Sequence, residues 1–128
     1  MNNALIVEDE FIARQLLTDV ISGLGLQVTA VQTADEGRQE FSKDPQHWAL
    51  VVTDFFTPGL STGSDLVRDI QSMRSDCPVI VSSGYLDHDD MLAADNIRLL
   101  IKPWTISHLE LIVTELTGQE ASQGRDDR

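Results

Sequence analysis

The stretch Ala4-Leu5-Ile6-Val7-Glu8-Asp9-Glu10-Phe11-Ile12 decides how the chain folds. Four consecutive apolar residues end abruptly in three acids, and a segment of helical period follows. A run that is apolar at every position, rather than at alternate ones, suits a strand covered on both faces, as in a parallel sheet. Beyond the acids, Ile12, Leu16 and Val20 fall at i, i+4 and i+8, with Leu17, Ile21 and Leu24 on the neighbouring stripe. The pattern stops at Gly23 and Gly25. This spacing predicts an amphipathic helix with a glycine end signal.

The same alternation recurs along the chain. Short apolar runs rich in β-branched residues at 27–31, 48–53, 78–82 and 97–101 predict four more strands. Thr33-Ala34-Asp35-Glu36 is a capping box, in which hydroxyl and carboxylate each satisfy an unpaired backbone N–H, and its helix should run to about Lys43. Leu66, Val67, Ile70 and Met73 share one face of a third helix, and Ile106, Leu109, Val113 and Leu116 share one face of the last, before Gly118. A short, poorly patterned segment at 87–94 is the expected fourth helix. Five strands alternating with five helices predict a doubly wound α/β domain with right-handed crossovers and helices on both sheet faces. The domain is expected over residues 1–118, with a polar, aperiodic and disordered tail at 119–128.

Composition narrows the function classes. The 128 residues are 41% hydrophobic and 23% charged, enough for one core without disulfides or a structural metal. The lone Cys77 cannot make an internal bridge, and no charged-then-apolar leader precedes Asn2 and Asn3, so a cytoplasmic location is expected. No apolar run approaches the roughly 20 residues of a membrane span, so no membrane insertion is expected. Nine basic against twenty-one acidic side chains give a net charge of −12, which repels phosphate backbones and argues against direct nucleic-acid binding. His47, His88 and His108 lack ligand spacing and read as surface residues. Cys77 reads as a buried small hydrophobe and Trp48 as a strand-edge packing residue.

In open α/β sheets, ligands bind beyond the carboxyl ends of the strands. Those ends here are Glu8-Asp9-Glu10, Thr53-Asp54, Ser82-Ser83-Gly84 and Lys102-Pro103. Carboxylates that converge repel one another, so such a rim makes physical sense mainly around a cation. Oxygen-only ligands point to a hard ion, and Mg²⁺ needs few protein carboxylates and completes its shell with water and phosphoryl oxygen. A phosphoryl group held there would want a second positive charge and a hydroxyl donor, which Lys102 and Ser83 supply. A carboxylate facing the metal and the phosphorus can act as a nucleophile, and Asp54 is the best placed. Each residue alone has a plainer reading. Glu8, Asp9 and Glu10 could cap the first helix, Asp54 could be a turn residue before Pro58-Gly59, Ser83 a strand-end hydroxyl bonded to backbone, and Lys102 a solvated loop residue.

Taken together, the chain resembles the receiver domain of two-component response regulators, of the single-domain type. The likeness rests on Glu8-Asp9 after an apolar strand, Asp54 followed by Pro58-Gly59, and Gly63 before the third helix. It also rests on Pro78-Val79-Ile80-Val81 leading to Ser83-Gly84-Tyr85, and on Lys102-Pro103 before the last helix. The resemblance implies a flavodoxin-like sheet of order 2-1-3-4-5. It implies that Asp54 accepts phosphate from the phosphohistidine of a sensor histidine kinase or a histidine phosphotransfer protein. Mg²⁺, with Mn²⁺ as a substitute, would be held by Asp9, Asp54 and the backbone carbonyl of Phe56, with Glu8 acting through water. Ser83 would bond the phosphoryl group and Lys102 would pair with it, and their movement would switch the face of the fourth helix, fifth strand and fifth helix toward a downstream protein target. Such a domain is a signalling phosphoacceptor and not an enzyme, apart from its own phosphotransfer and slow autodephosphorylation.

Several positions depart from the family's usual pattern. Leu99 stands where a Tyr or Phe is usual, so an aromatic rotamer change cannot report phosphorylation there. Trp104 stands where Phe is usual and can partly replace that ring, Thr57 stands where Met is usual, and Glu8 replaces the commoner Asp. Phe56 and Tyr85 occupy positions that tune water access to the acyl phosphate, and two rings there imply slow hydrolysis. The alternative is a pseudo-receiver that keeps the fold as a constitutive interaction module. A flavodoxin-like redox domain is disfavoured because Glu8-Asp9-Glu10 would repel a cofactor phosphate. An aspartyl phosphatase is disfavoured because Phe56 stands where a second acid is needed.

Overall fold

Every strand pairing is parallel, so each connection must cross over one face of the sheet, and the apolar runs decide what those crossovers cover. The computed structural model describes residues 2–84 and 94–118. In chain order it contains β1 (Asn3–Val7), α1 (Phe11–Gly23), β2 (Gln27–Val31), α2 (Ala34–Lys43), a 3-10 turn (Pro45–His47), β3 (Trp48–Asp54), α3 (Gly63–Met73), β4 (Val79–Ser83), β5 (Ile97–Ile101) and α4 (Ile106–Thr117). The strands form one sheet of order β2-β1-β3-β4-β5, the doubly wound flavodoxin-like arrangement. Tyr85, the tail at 119–128 and nearly all of the segment expected as a helix at 87–94 lie outside the described residues.

Successive strand residues point to opposite faces and build two cores. Ala4, Ile6, Leu50, Val52, Ile80 and Leu100 pack against Leu17 and Ile21 of α1 and Leu109, Ile112 and Val113 of α4. Leu5, Val7, Val51, Val79, Val81 and Ile97 pack against Phe41 of α2 and Leu66, Val67 and Ile70 of α3. The strand β1 is buried from Ala4 onward, as its unbroken apolar run requires. By contrast β2 is the sheet edge and exposes Gln27, Thr29 and Ala30, so cover on both faces does not extend to it.

Helix boundaries follow local chemistry. The Thr33–Glu36 capping box opens α2, a second box of Thr62 and Asp65 opens α3, and Gly118 ends α4 in the left-handed region at φ 79°. Of the two apolar stripes on α1, Leu17, Ile21 and Leu24 enter the core and Val20 packs half-buried against it, while Ile12 stays 71% and Leu16 38% exposed. A helix lying on one side of a sheet buries one stripe, and the second faces outward. On α4 likewise, Ile106 in the first turn is exposed and Ile112 is buried. Trp48 is not at an edge: it opens the central strand and is buried in the core, with His47 edge-on at 4.6 Å. Cys77 is fully buried, and burial pushes its thiol up to about 11, as expected of an inert small hydrophobe.

Gly63 sets how closely α3 approaches β3. A Cβ there would lie 2.5 Å from the Asp54 carbonyl oxygen and 2.9 Å from the Phe55 Cα, both backbone atoms, and the Gly63 amide donates to the Phe55 carbonyl at 2.8 Å. Gly63→Ala is expected to cost about 2 kcal/mol in urea unfolding, because backbone must shift. Gly23→Ala, with open space around it, should be neutral or stabilising by up to about 1 kcal/mol. Equal stability of the two variants would contradict this assignment.

Candidate functional site

A parallel sheet gathers the carboxyl ends of all its strands along one edge, and here those ends carry the charged side chains. One step past the last β1–β3 pair, Val7 with Thr53, Glu8 comes beside Asp54. One carboxylate oxygen from each of Glu8, Asp9 and Asp54 lies within 4.8 Å of the others. Asp9 is exposed, but Glu8 and Asp54 are only 2% and 7% exposed. Lys102, one residue past β5 and followed by a cis peptide bond to Pro103, places its Nζ 3.1 Å from Asp54 Oδ2.

The acidic triplet divides between the two roles its sequence allows. Glu10 caps α1 by accepting from the Ala13 amide at 2.8 Å, whereas Glu8 and Asp9 join Asp54. The turn that carries them is held from both sides. The Glu10 amide donates to Glu8 Oε2 at 3.1 Å, and the Arg14 guanidinium donates to the backbone carbonyls of Glu8 at 3.0 Å and Asp9 at 3.3 Å. Burial pushes Glu8 up to about 7, reinforced by the negative charges of Asp54 and Asp9 and opposed by the Glu10 amide and Lys102. Near neutral pH the site therefore relieves part of its own repulsion by holding a proton on Glu8.

The remaining predicted residues fall around this centre. Ser83 is buried at the end of β4, and its carbonyl accepts the Lys102 amide at 2.8 Å. Phe56 is 56% exposed and stands edge-on to Phe55 at 4.6 Å. Trp104, half-buried, shares an open groove with Glu8, Ile12, Leu16, Lys102 and Pro103, while Leu99 is half-buried against the α2–α3 core. Sequence reasoning missed three supports. Arg14 clamps the acidic turn, as described. Thr57 Oγ1 accepts the Ala34 amide at 2.8 Å, and so tethers the loop after β3 to the start of α2. Arg38 of α2 donates to Asp69 of α3 at 2.6 Å and to Ser61 Oγ at 2.8 Å, fixing the far end of the same loop. Their partners lie 5 to 31 residues away, and no local pattern signals the pairings.

The family model described as the response regulator receiver domain matches residues 4–114. The chain belongs to this family. Receiver domains are signalling phosphoacceptors rather than enzymes in the usual sense. This receiver domain is 33% identical to the transcriptional regulatory protein HptR of Staphylococcus aureus, over 98% of the chain and 52% of that protein. It is 28% identical to the hydrogenase transcriptional regulatory protein HoxA of Cupriavidus necator, over 94% of the chain and 25% of that protein. The chain thus spans about half of one relative and a quarter of the other. Among solved structures, a receiver protein from Sinorhizobium medicae superposes with a TM-score of 0.81 at 21% identity, covering 91% of this chain and 94% of that one. TrrA from Thermotoga maritima, solved in complex with Mg(2+)-BeF, gives 0.78 at 24% identity, covering 91% and 99%. These likenesses support the fold. No helix among the described residues is long and apolar enough to cross a membrane.

The raised Glu8 predicts a pH signature in metal-free protein. Since Glu8 holds its proton more tightly folded than unfolded, its contribution to stability is intact below about pH 4.5 and is lost as pH rises through about 7. Glu8→Gln, which cannot ionise and can still accept from the Glu10 amide, is expected to match wild type near pH 4.5. It should exceed wild type by on the order of 3 kcal/mol at pH 8, in urea unfolding with chelator present. A constant difference across that range would contradict the assignment.

Proposed function

We propose that this receiver domain takes a phosphoryl group onto Asp54 from the phosphohistidine of a sensor histidine kinase or a histidine phosphotransfer protein. The observation that carries the reading is the Lys102 ammonium 3.1 Å from Asp54 Oδ2, on an acid that shares its pocket with Glu8 and Asp9. The donor set fits a hard divalent ion. Three carboxylate oxygens gathered within 4.8 Å of one another come near the roughly 4 Å that separates opposite ligands of Mg²⁺ bound at about 2.0–2.1 Å. Asp9, Asp54 and the Phe56 carbonyl would hold it, with Glu8 acting through water. When bound, Mg²⁺ supplies the positive charge that offsets both the gathered carboxylates and the phosphoryl oxygens.

This chain's own residues then have distinct tasks. Asp54 offers a carboxylate oxygen that attacks phosphorus in line. An acyl O–P bond forms as the N–P bond to the imidazole breaks, and the leaving ring nitrogen keeps the electron pair. Lys102 is poised to follow charge from the free carboxylate to the phosphoryl oxygens, and the Ser83 hydroxyl donates to one of those oxygens. Because Lys102 and Ser83 terminate adjacent strands joined by the Lys102 amide bond to the Ser83 carbonyl, their movement is coupled to β5 and to the start of α4, where Leu99 and Trp104 lie. That surface is read as the one that changes affinity for a downstream protein target. By the family resemblance Phe56 and Tyr85 occupy the positions that tune water access, and two bulky rings there, with no Asn, Gln or Glu to orient a water molecule, slow attack on the acyl phosphate.

Wild type is expected to take up beryllofluoride only with Mg²⁺ present, and Asp54→Asn to take up none, read by fluorine NMR. Absence of uptake by wild type would favour the non-switching interaction module. Phe56→Asn is expected to speed phosphate loss severalfold in a single-turnover assay. Equal or slower loss would count against the steric role of the ring.

A further inference from the structure

The strand ends hold one more polar side chain, to which the reading above gives no task. Ser82 is 1% exposed, and its hydroxyl oxygen is buried with no hydrogen-bond partner among the described residues. Its place in the sheet is specific. Ser82 pairs in register with Asp54 of β3 on one side and with Leu100 of β5 on the other. Residues directly opposite in a parallel sheet project to the same face, so Ser82 shares with Asp54 the face on which Val52, Ile80 and Leu100 meet α1 and α4. Neighbouring strands lie about 4.8 Å apart. A hydroxyl one bond from Cβ and a carboxylate two bonds from Cβ, on directly opposite residues, meet after one rotation of either side chain.

A buried hydroxyl left without a partner is unfavourable, and a state of the molecule that satisfies it gains by comparison. In the described state Lys102 binds Asp54 Oδ2. Phosphorylation converts the Asp54 carboxylate into an acyl phosphate, with one oxygen bridging to phosphorus and the other remaining as a carbonyl acceptor. Once Lys102 turns to the phosphoryl oxygens, that carbonyl loses its ammonium donor, and besides the lone pair it would offer the ion it keeps a second one free to accept a hydrogen bond. Resting on the phosphoacceptor reading, we propose that Ser82 is a positioning residue, whose hydroxyl donates to the non-bridging carboxyl oxygen of Asp54 in the phosphorylated state. The bond fixes the side-chain rotation that aims the other oxygen at phosphorus. While Lys102 holds Asp54 Oδ2 the hydroxyl is without a partner among the described residues, so a bond gained on modification favours that form over the resting one.

The test pairs variants of matched shape. Ser82→Ala and Ser82→Val remove the hydroxyl, and Ser82→Thr keeps it with the same branching as valine. Each is titrated with beryllofluoride in the presence of magnesium, and urea unfolding of the unliganded protein is measured alongside. Ser82→Ala is expected to leave unliganded stability unchanged or raised, because the hydroxyl has no partner to lose. It should nevertheless weaken beryllofluoride uptake about tenfold, equivalent to about 1.4 kcal/mol. Ser82→Val should weaken uptake similarly, and Ser82→Thr should restore it. A merely structural role would lower stability and uptake together, and would not separate Thr from Val. Wild-type uptake with no loss in Ser82→Ala, or no difference between Thr and Val, overturns the role of Ser82 alone. No uptake by wild type overturns the phosphoacceptor reading and this inference with it.

Discussion

Mutual repulsion among Glu8, Asp9 and Asp54 is the constraint that organises the molecule around it. Their oxygens converge within 4.8 Å, and two of the three side chains are almost fully removed from water. At effective dielectric constants typical of protein sites, two like charges about 4 Å apart repel by roughly 4 kcal/mol. The described structure tempers this in two ways, through the Lys102 ammonium on Asp54 and through a proton that burial keeps on Glu8 to about pH 7. Neither neutralises the whole rim. A cavity that remains short of positive charge favours whatever cation or cation-bound group enters it.

The fold makes that convergence possible and holds it in place. Parallel pairing brings β1, β3, β4 and β5 to one edge, so that residues far apart in the chain come together with the precision of a hydrogen-bonded ladder. Around that edge, Arg14 grips the acidic turn by its carbonyls, Gly63 lets α3 start directly against the Asp54 carbonyl, and Thr57 and Arg38 tether the loop after β3 at both ends. Sites built on rigid elements with a second layer of support keep their geometry through a chemical step. Here the second layer holds the acidic turn and the loop after β3 in place around Asp54.

Much of this was legible in the residues because it is local. The unbroken apolar run of β1 implies two covered faces, the Thr33–Glu36 box and Gly118 mark helix ends, and acids or a lysine directly after apolar strands put charge at one rim. What was not legible depends on which element lies at an edge and what crosses over it. The exposure of Thr29 and Ala30, the outward stripe of Ile12 and Leu16, and the burial of Trp48 all follow from strand order, which no single segment encodes. The Arg38–Asp69 pair joins residues 31 apart. Ser82 looked like a neighbour of the more obvious Ser83, and only the strand register places it beside Asp54.

The central claim is that a divalent ion relieves a charged rim that the protein otherwise tolerates at a cost. Thermal unfolding at about pH 8, with magnesium varied from chelator-treated to several millimolar, tests it most directly. The midpoint should climb by a few degrees and keep rising with the logarithm of magnesium concentration once the site begins to fill. Asp9→Asn should start from a higher metal-free midpoint and respond weakly. A wild-type midpoint that ignores magnesium throughout, and equals that of Asp9→Asn, would contradict the account.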